Sequence, residues 1–241
     1  MLGVAGGFDE DGWQYGHGIF ETLLVEDGNP LLFDRHMERA EKSAQELGIL
    51  IPSREEVRGA INTLERYPIA RLRLSFGSEF SCDLKPYQEN RTPMQIVISE
   101  GVNRPGIGIH KRFPFRDNLD MLRSAHIQGC DEILLVDKTG VVGEGATCNY
   151  AFYIKGRWVT PSMSSGVLPG IMRALAIENS LVCEEEIHRS DLLNVEAMVA
   201  LSSLRIAVPI ARINGRSLVV GPITESFFEL LLGLTRLYSV G

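Results

Sequence analysis

Between Asp131 and Arg173 the chain reads DEILLVDKTGVVGEGATCNYAFYIKGRWVTPSMSSGVLPGIMR, and this stretch narrows the available folds more than any other. Ile133–Val136, Tyr150–Ile154 and Arg157–Val159 are strand-like, the last two turned by Lys155-Gly156. Ser164-Ser165-Gly166 then leads through Leu-Pro into a helix starting near Gly170. Backbone N–H groups at a helix start lack intrahelical partners, so they suit a phosphate. Glu144 sits between Gly143 and Gly145, just past the first of these strands and its turn. A carboxylate and a phosphate cradle this close in sequence point to a ligand with a basic ring at one end and a phosphate at the other.

The rest of the chain mixes helices and strands without a strict βαβ rhythm. Ile19–Val25 and Leu31–Phe33 read as a hairpin around Asp27-Gly28-Asn29-Pro30. Asp34 is placed to cap a helix that runs to Leu47 and stops at Gly48, with Met37, Ala40, Ala44 and Leu47 as its core stripe. Ser53 and Glu56 fit a capping box for a second helix that ends before Pro68. Strands are expected at Arg71–Phe76 and Met94–Ser99, with a polar loop at Gly77–Pro93 between them. The Gly- and Pro-rich run GVNRPGIGIHKRFPF reads as a connection between domains. A helix over Asn118–Gln128, a short helix at Ser190–Leu193, strands at Met198–Leu201 and Ala207–Ile213, and a final apolar helix over Ile223–Tyr238 complete the pattern. At 241 residues the expectation is an α+β protein in two parts: residues 1–104, a connection at 105–111, and 112–241.

The net charge of −7, with no cluster of Lys and Arg, argues against a nucleic-acid surface. The N-terminal MLGVAGGFDEDGW has neither the basic start nor the apolar run of a secretory signal, and a cytoplasmic location is expected. Cys82, Cys130, Cys148 and Cys183 show no CxxC or zinc-like spacing and read as buried small hydrophobes in a reducing compartment. His17, His36, His110, His126 and His188 show no metal spacing either, so no metal site is expected. Nucleotide-binding glycine motifs and the GxSxG elbow are absent from the sequence.

Several residues have both an ordinary and a chemical reading. Lys111 is a charged residue of a Gly/Pro-rich loop, or an amine whose neighbours His110 and Arg112, when cationic, favour the neutral form that imine chemistry needs. Glu144 is a turn carboxylate, or the partner of a pyridine nitrogen. Arg39 is a solvent-facing residue on the side of its helix away from the apolar stripe, or a phosphate clamp. Ser202 and Ser203 are turn hydroxyls or phosphate donors. Arg71 and Arg73 alternate onto one strand face, where either can meet a substrate carboxylate.

Taken together, YGHGIFETLLVEDGNPLLFDRHMERAEKSAQELGI, the Gly129-Cys130-Asp131-Glu132 run and EGATCN resemble the class IV aminotransferases, pyridoxal-phosphate (PLP) enzymes of fold type IV. The resemblance covers the chain from Tyr15 to the final helix. It implies a two-domain fold with the cofactor at the domain interface. An ungapped count back from Glu132 through Ala125, Arg123 and Asn118 implies that Lys111 is the lysine bonded to the cofactor. Arg39 matches the phosphate-binding arginine, Glu144 the carboxylate at the ring nitrogen, and Asn149 the residue at its usual spacing. Leu168 matches the residue packed on the ring. Gly170 opens the helix whose Ile171 and Met172 N–H groups meet the phosphate, and Ser202 and Ser203 match a second phosphate loop. Tyr15, Phe20 and Arg73 are implied on the substrate side.

Three positions depart from the family pattern. Pro114 and Phe115 stand where Asn and Tyr are frequent, and Met172 where a hydroxyl residue is frequent. The implied activity is amino transfer between a small amino acid and a 2-keto acid. Its alternatives are an aminodeoxychorismate lyase that releases pyruvate, towards which the short chain leans, and a non-catalytic dimeric relative. A homodimer is implied as well.

Overall fold

The computed structural model describes residues 16–102 and 109–239. In chain order the elements are β1 (Gly18–Glu26), β2 (Asn29–Pro30), α1 (Phe33–Leu47), α2 (Arg54–Asn62), β3 (Ile69–Phe76), β4 (Phe80–Pro86), β5 (Met94–Val102) and β6 (Arg112–Phe113). Then come α3 (Arg116–Ile127), β7 (Glu132–Asp137), β8 (Asn149–Ile154), β9 (Arg157–Pro161), α4 (Ile171–Glu178), β10 (Cys183–Glu185), β11 (Val195–Ser202), β12 (Ile206–Ile213), β13 (Arg216–Ser217) and α5 (Pro222–Leu237). Short 3-10 turns lie at Met163–Ser165 and Arg189–Asn194. The chain divides into two compact units.

The first unit takes the described residues up to Gln88 together with His110–Arg116. Its sheet runs β2-β1-β3-β4, with β6 also paired to β1. Alternation along β1 and β3 puts Ile19, Leu23, Val25, Ala70, Leu72 and Leu74 on one face, against Met37, Ala40 and Ala44 of α1. Gly48 ends α1 in the left-handed conformation, and Ser53 and Glu56 close the expected capping box on α2. The hairpin is shorter than its sequence indicates. Leu32 turns left-handed at φ 53°, so the chain leaves the sheet after Pro30 and Phe33 already opens α1. Asp34 therefore lies in the first turn rather than at the cap, and it reaches Arg58 at 3.2 Å. The expected loop at Gly77–Pro93 contains β4, because Phe80, Cys82 and Leu84 alternate in register with β3 and pack on the same core.

The second unit is built from the described residues of Glu89–Ile109 and Asp117–Val240. Its sheet runs β10-β9-β8-β11-β12-β5-β7, with β13 on β12. Because β5 pairs in parallel with both β7 and β12, the chain joins this unit at Glu89, before the boundary read at residue 104. Residues Arg112–Arg116, read as part of the second domain, group with the first unit because β6 pairs with β1. Tyr150, Phe152, Met198 and Val208 are fully buried on one face of the large sheet, while α4 and α5 pack on β11 and β12. Cys148 is buried, but Cys183 is exposed, contrary to the reading of all four cysteines as core residues. Among the described residues no helix is long and apolar enough to cross a membrane.

Gly18 is where β1 can least accept a side chain. A Cβ there would lie 2.3 Å from both the Phe113 ring and the Phe76 carbonyl oxygen. Gly18→Ala is expected to cost about 2 kcal/mol by overpacking, read as a lowered urea midpoint at unchanged slope.

Candidate active site

In the first unit, β6 pairs with the start of β1 through Gly18↔Phe113 and Ile19↔Arg112, and Phe20 N–H donates to Lys111 O at 2.9 Å. This pairing sets Lys111 beside β1. Its Nζ lies 4.4 Å from the centre of the Phe20 ring and 5.4 Å from that of Phe115, and the two rings meet edge to face. The amine is thus framed by aromatic rings. The neighbouring His110 ring is held on α1 by Ser43 Oγ at 3.1 Å and Glu46 Oε2 at 3.4 Å.

Arg39 is not solvent-facing: its side chain is 10% exposed. Its Nε donates to Glu21 Oε1 at 2.8 Å and its other fork arm to Glu21 Oε2 at 2.5 Å. His36 Nδ1 lies 2.6 Å from the same Oε2. Burial alone would raise the Glu21 pKa, but Arg39 and His36 outweigh it and hold the carboxyl at about 2. For His36 burial is the leading cause and lowers its pKa; Glu21 opposes this, while Arg39 and Lys111 reinforce it. A neutral ring donating from Nδ1 fits that balance. Sequence reasoning gives neither Glu21 nor His36 a chemical role. The available signal is Glu21 itself, an ionisable residue in the inward register between Ile19 and Leu23.

Arg73 lies on the opposite face of the same sheet, paired with Thr22 of β1, two residues along from Phe20. Burial first, and then Arg71, depress its pKa to about 10 against the pull of Asp83. Arg71 donates to Asp83 at 3.0 Å. Tyr15 lies outside the described residues.

In the second unit, β7 directs Glu144. Gly143 N–H donates to Leu135 O at 2.8 Å and Leu135 N–H to Glu144 O at 2.9 Å, so the segment after the turn runs back along β7. The Glu144 side chain is buried, and its Oε2 accepts from Asn149 Nδ2 at 2.9 Å and from Leu168 N–H at 3.0 Å. Asn149 Nδ2 also donates to Leu168 O at 3.1 Å. Gly170 caps α4 without a side-chain bond, and a Cβ on it would lie 1.9 Å from Asn149 Oδ1. Glu144, Asn149, Leu168 and Gly170 therefore form one bonded group, as their nearness in sequence indicates. Leu201 pairs with Asn149, which puts Ser202 and Ser203 just beyond it at the turn to β12. Met172 is buried and its sulfur accepts from Thr235 Oγ1 on α5 at 3.6 Å, so at the helix start it offers its backbone and not its side chain. Among the described residues no group of three or more His, Cys, Asp or Glu is placed to hold a metal ion.

Residues 18–213 match the family model for amino-transferase class IV. A putative aminodeoxychorismate lyase of Schizosaccharomyces pombe is 26% identical over 199 residues, covering 78% of this chain and 86% of its own. An aminodeoxychorismate lyase of Bacillus subtilis is 29% identical over 197 residues, covering 71% and 67%. Among solved structures, the PLP-bound form of a hypothetical aminotransferase from Mycobacterium tuberculosis superposes with a TM-score of 0.78 at 24% identity, covering 90% of this chain and 88% of that one. Fold and family match together define a PLP-dependent enzyme of fold type IV. The chain belongs to the class IV aminotransferase family. Taken unit by unit, the chemistry of the residues suits such a cofactor: the second unit offers a buried, oriented carboxylate at Glu144 and a helix start at Gly170 without a side-chain cap, and the first offers the Lys111 amine set among aromatic rings.

Two outcomes check this geometry. Gly170→Ala forces Asn149 aside and is expected to weaken PLP binding about tenfold or more, measured by absorbance titration. The second concerns acid. Glu21 has a depressed folded pKa, so its stabilisation is complete above the unfolded value of 4.5 and is lost as pH falls towards about 2. His36, also depressed, stabilises fully above 6.5 and progressively less as pH falls below that. Urea unfolding should show the wild type losing stability on acidification from pH 7. Glu21→Gln should be weaker by about 3 kcal/mol at pH 7 and flatter below pH 5.

Proposed function

We propose that Lys111 is the residue that bonds the cofactor and then carries the proton at the carbon bearing the substrate's amino group, and that the reaction completed is transamination between a small amino acid and a 2-keto acid. Bound PLP supplies an electron-withdrawing ring that takes up the electron pair of the bond broken at that carbon. The observation that carries this reading is the Glu144 carboxylate, buried and fixed by Asn149 and the Leu168 N–H. So held, Glu144 keeps a proton on the ring nitrogen. Arg39, with its guanidinium already oriented by Glu21, and the start of α4 bind the phosphate. Anchoring the phosphate holds the reacting carbon within reach of one amine. Ser202 and Ser203 add phosphate donors. Phe20 and Phe115 screen the amine from water, and Arg73 receives the substrate carboxylate. The proposal includes a cytoplasmic homodimer.

A second reading, release of pyruvate from aminodeoxychorismate, is favoured by one observation: the relatives from Schizosaccharomyces pombe and Bacillus subtilis both carry the lyase name. It uses the same lysine and the same carboxylate.

Lys111→Ala is expected to lose the visible absorbance band of lysine-bound PLP and at least about a thousandfold in turnover. A band that persists unchanged in this variant overturns the Lys111 assignment. Keto-acid formation across a panel of amino acids supports transamination, and pyruvate release from aminodeoxychorismate alone supports the lyase.

A further inference from the structure

Glu132, the first residue of β7, is 1% exposed. Four donors converge on its carboxylate. Oε1 accepts from Ile133 N–H at 2.9 Å and Ala146 N–H at 3.0 Å. Oε2 accepts from Thr147 N–H at 3.1 Å and Thr147 Oγ1 at 2.5 Å. Three of the four donors belong to Ala146 and Thr147, in the loop that separates Glu144 from Asn149. From the other side, Asn118 on α3 donates to Ala146 O at 2.7 Å. Gly145 N–H closes the loop on Cys148 O at 2.8 Å.

A buried carboxylate is costly unless its oxygens are satisfied, and here the loop satisfies them. The dependence runs both ways. The Glu144 backbone is pinned to β7 at Leu135, and the loop residues after Glu144 are held by Glu132 and Asn118. The same loop delivers Asn149 to Glu144 at 2.9 Å, a distance that a small shift of the loop would break.

We propose that Glu132 is a positioning residue: through Ala146 and Thr147 it fixes Glu144 and Asn149 in the arrangement that serves the cofactor's ring nitrogen. This rests on the proposed role of Glu144 at that nitrogen. Glutamine has the right shape but the wrong donors. On the Oε1 side its amide NH2 would face two backbone N–H groups, and on the Oε2 side a backbone N–H and a hydroxyl, so either orientation opposes donor to donor.

The test is 15N NMR of the ring nitrogen in enzyme loaded with 15N-labelled PLP, together with steady-state kinetics. Glu144→Gln should move the nitrogen signal towards that of an unprotonated pyridine. Glu132→Gln should move it part of the way in the same direction, lower kcat about tenfold and change KM by less than about twofold. The double variant should go no further than Glu144→Gln alone. Thr147→Val, which removes one donor and keeps the charge, should show a smaller shift of the same sign, and it decides the matter if Glu132→Gln does not fold. A nitrogen signal that moves in Glu144→Gln but stays at the wild-type position in Glu132→Gln, or in Thr147→Val where that variant decides, overturns the role of Glu132. If Glu144→Gln leaves the signal in place, the reading of Glu144 itself fails and this proposal falls with it.

Discussion

The arrangement around Glu144 in the second unit depends on one hydrogen bond, from Leu168 N–H to the Glu144 carboxylate. It joins the end of the β7 turn to the approach of α4, two pieces of chain that do not share a strand. Because Asn149 donates both to Glu144 and to Leu168 O, moving any one of the three moves the others. The glycine at position 170 is a consequence of this arrangement. With Asn149 Oδ1 where a Cβ would stand, the residue opening α4 can have no side chain, and the helix start is left to its backbone. Carboxylate and helix start are thus one construction.

The first unit handles charge by the opposite means. In the second unit two buried carboxylates accept from neutral donors, whereas Glu21 meets a guanidinium directly. An arginine left flexible on a helix would lose rotamer freedom on meeting an anion. Arg39 meets that cost in folding, since its fork is already fixed on Glu21 by two bonds. The core stripe of α1 packs on the same face of β1 from which Glu21 projects, so the register that buries Leu23 also aims the carboxylate.

Much of this is legible in the sequence where local rules decide. The Ser53 capping box, the Gly48 stop and the Glu144–Gly170 cluster each depend on residues close in the chain. The misreadings have a common cause. β4 is too polar for a buried strand and reads as a loop, because its pairing with β3 is not visible from its own residues. Helical spacing alone leaves Arg39 open between a solvent-facing residue and an anion clamp, since only the strand opposite shows that its face is covered. The boundary at residue 104 comes from Gly and Pro composition, whereas β5 goes where its parallel partners are, one of them more than a hundred residues on.

Two of the three positions that depart from the family pattern, Phe115 and Met172, gain a physical account from the same geometry. Phe115 cannot offer a hydroxyl, but its ring meets Phe20 edge to face and lies 5.4 Å from the Lys111 amine. An aromatic ring there strengthens an apolar frame around the amine at the expense of a polar contact. Met172 has turned its side chain into the core towards Thr235, and a hydroxyl residue in its place would give up that packing. The backbone N–H at the start of α4 does not depend on which side chain Met172 carries, so the helix start keeps its donors with methionine there. Glu144 is held by Asn149 and by the Leu168 N–H, so its placement depends on how the loop before Asn149 is fixed. That loop is anchored in turn by Glu132 of β7 and Asn118 of α3, so the position of the carboxylate is set by residues outside its own hydrogen-bonded group.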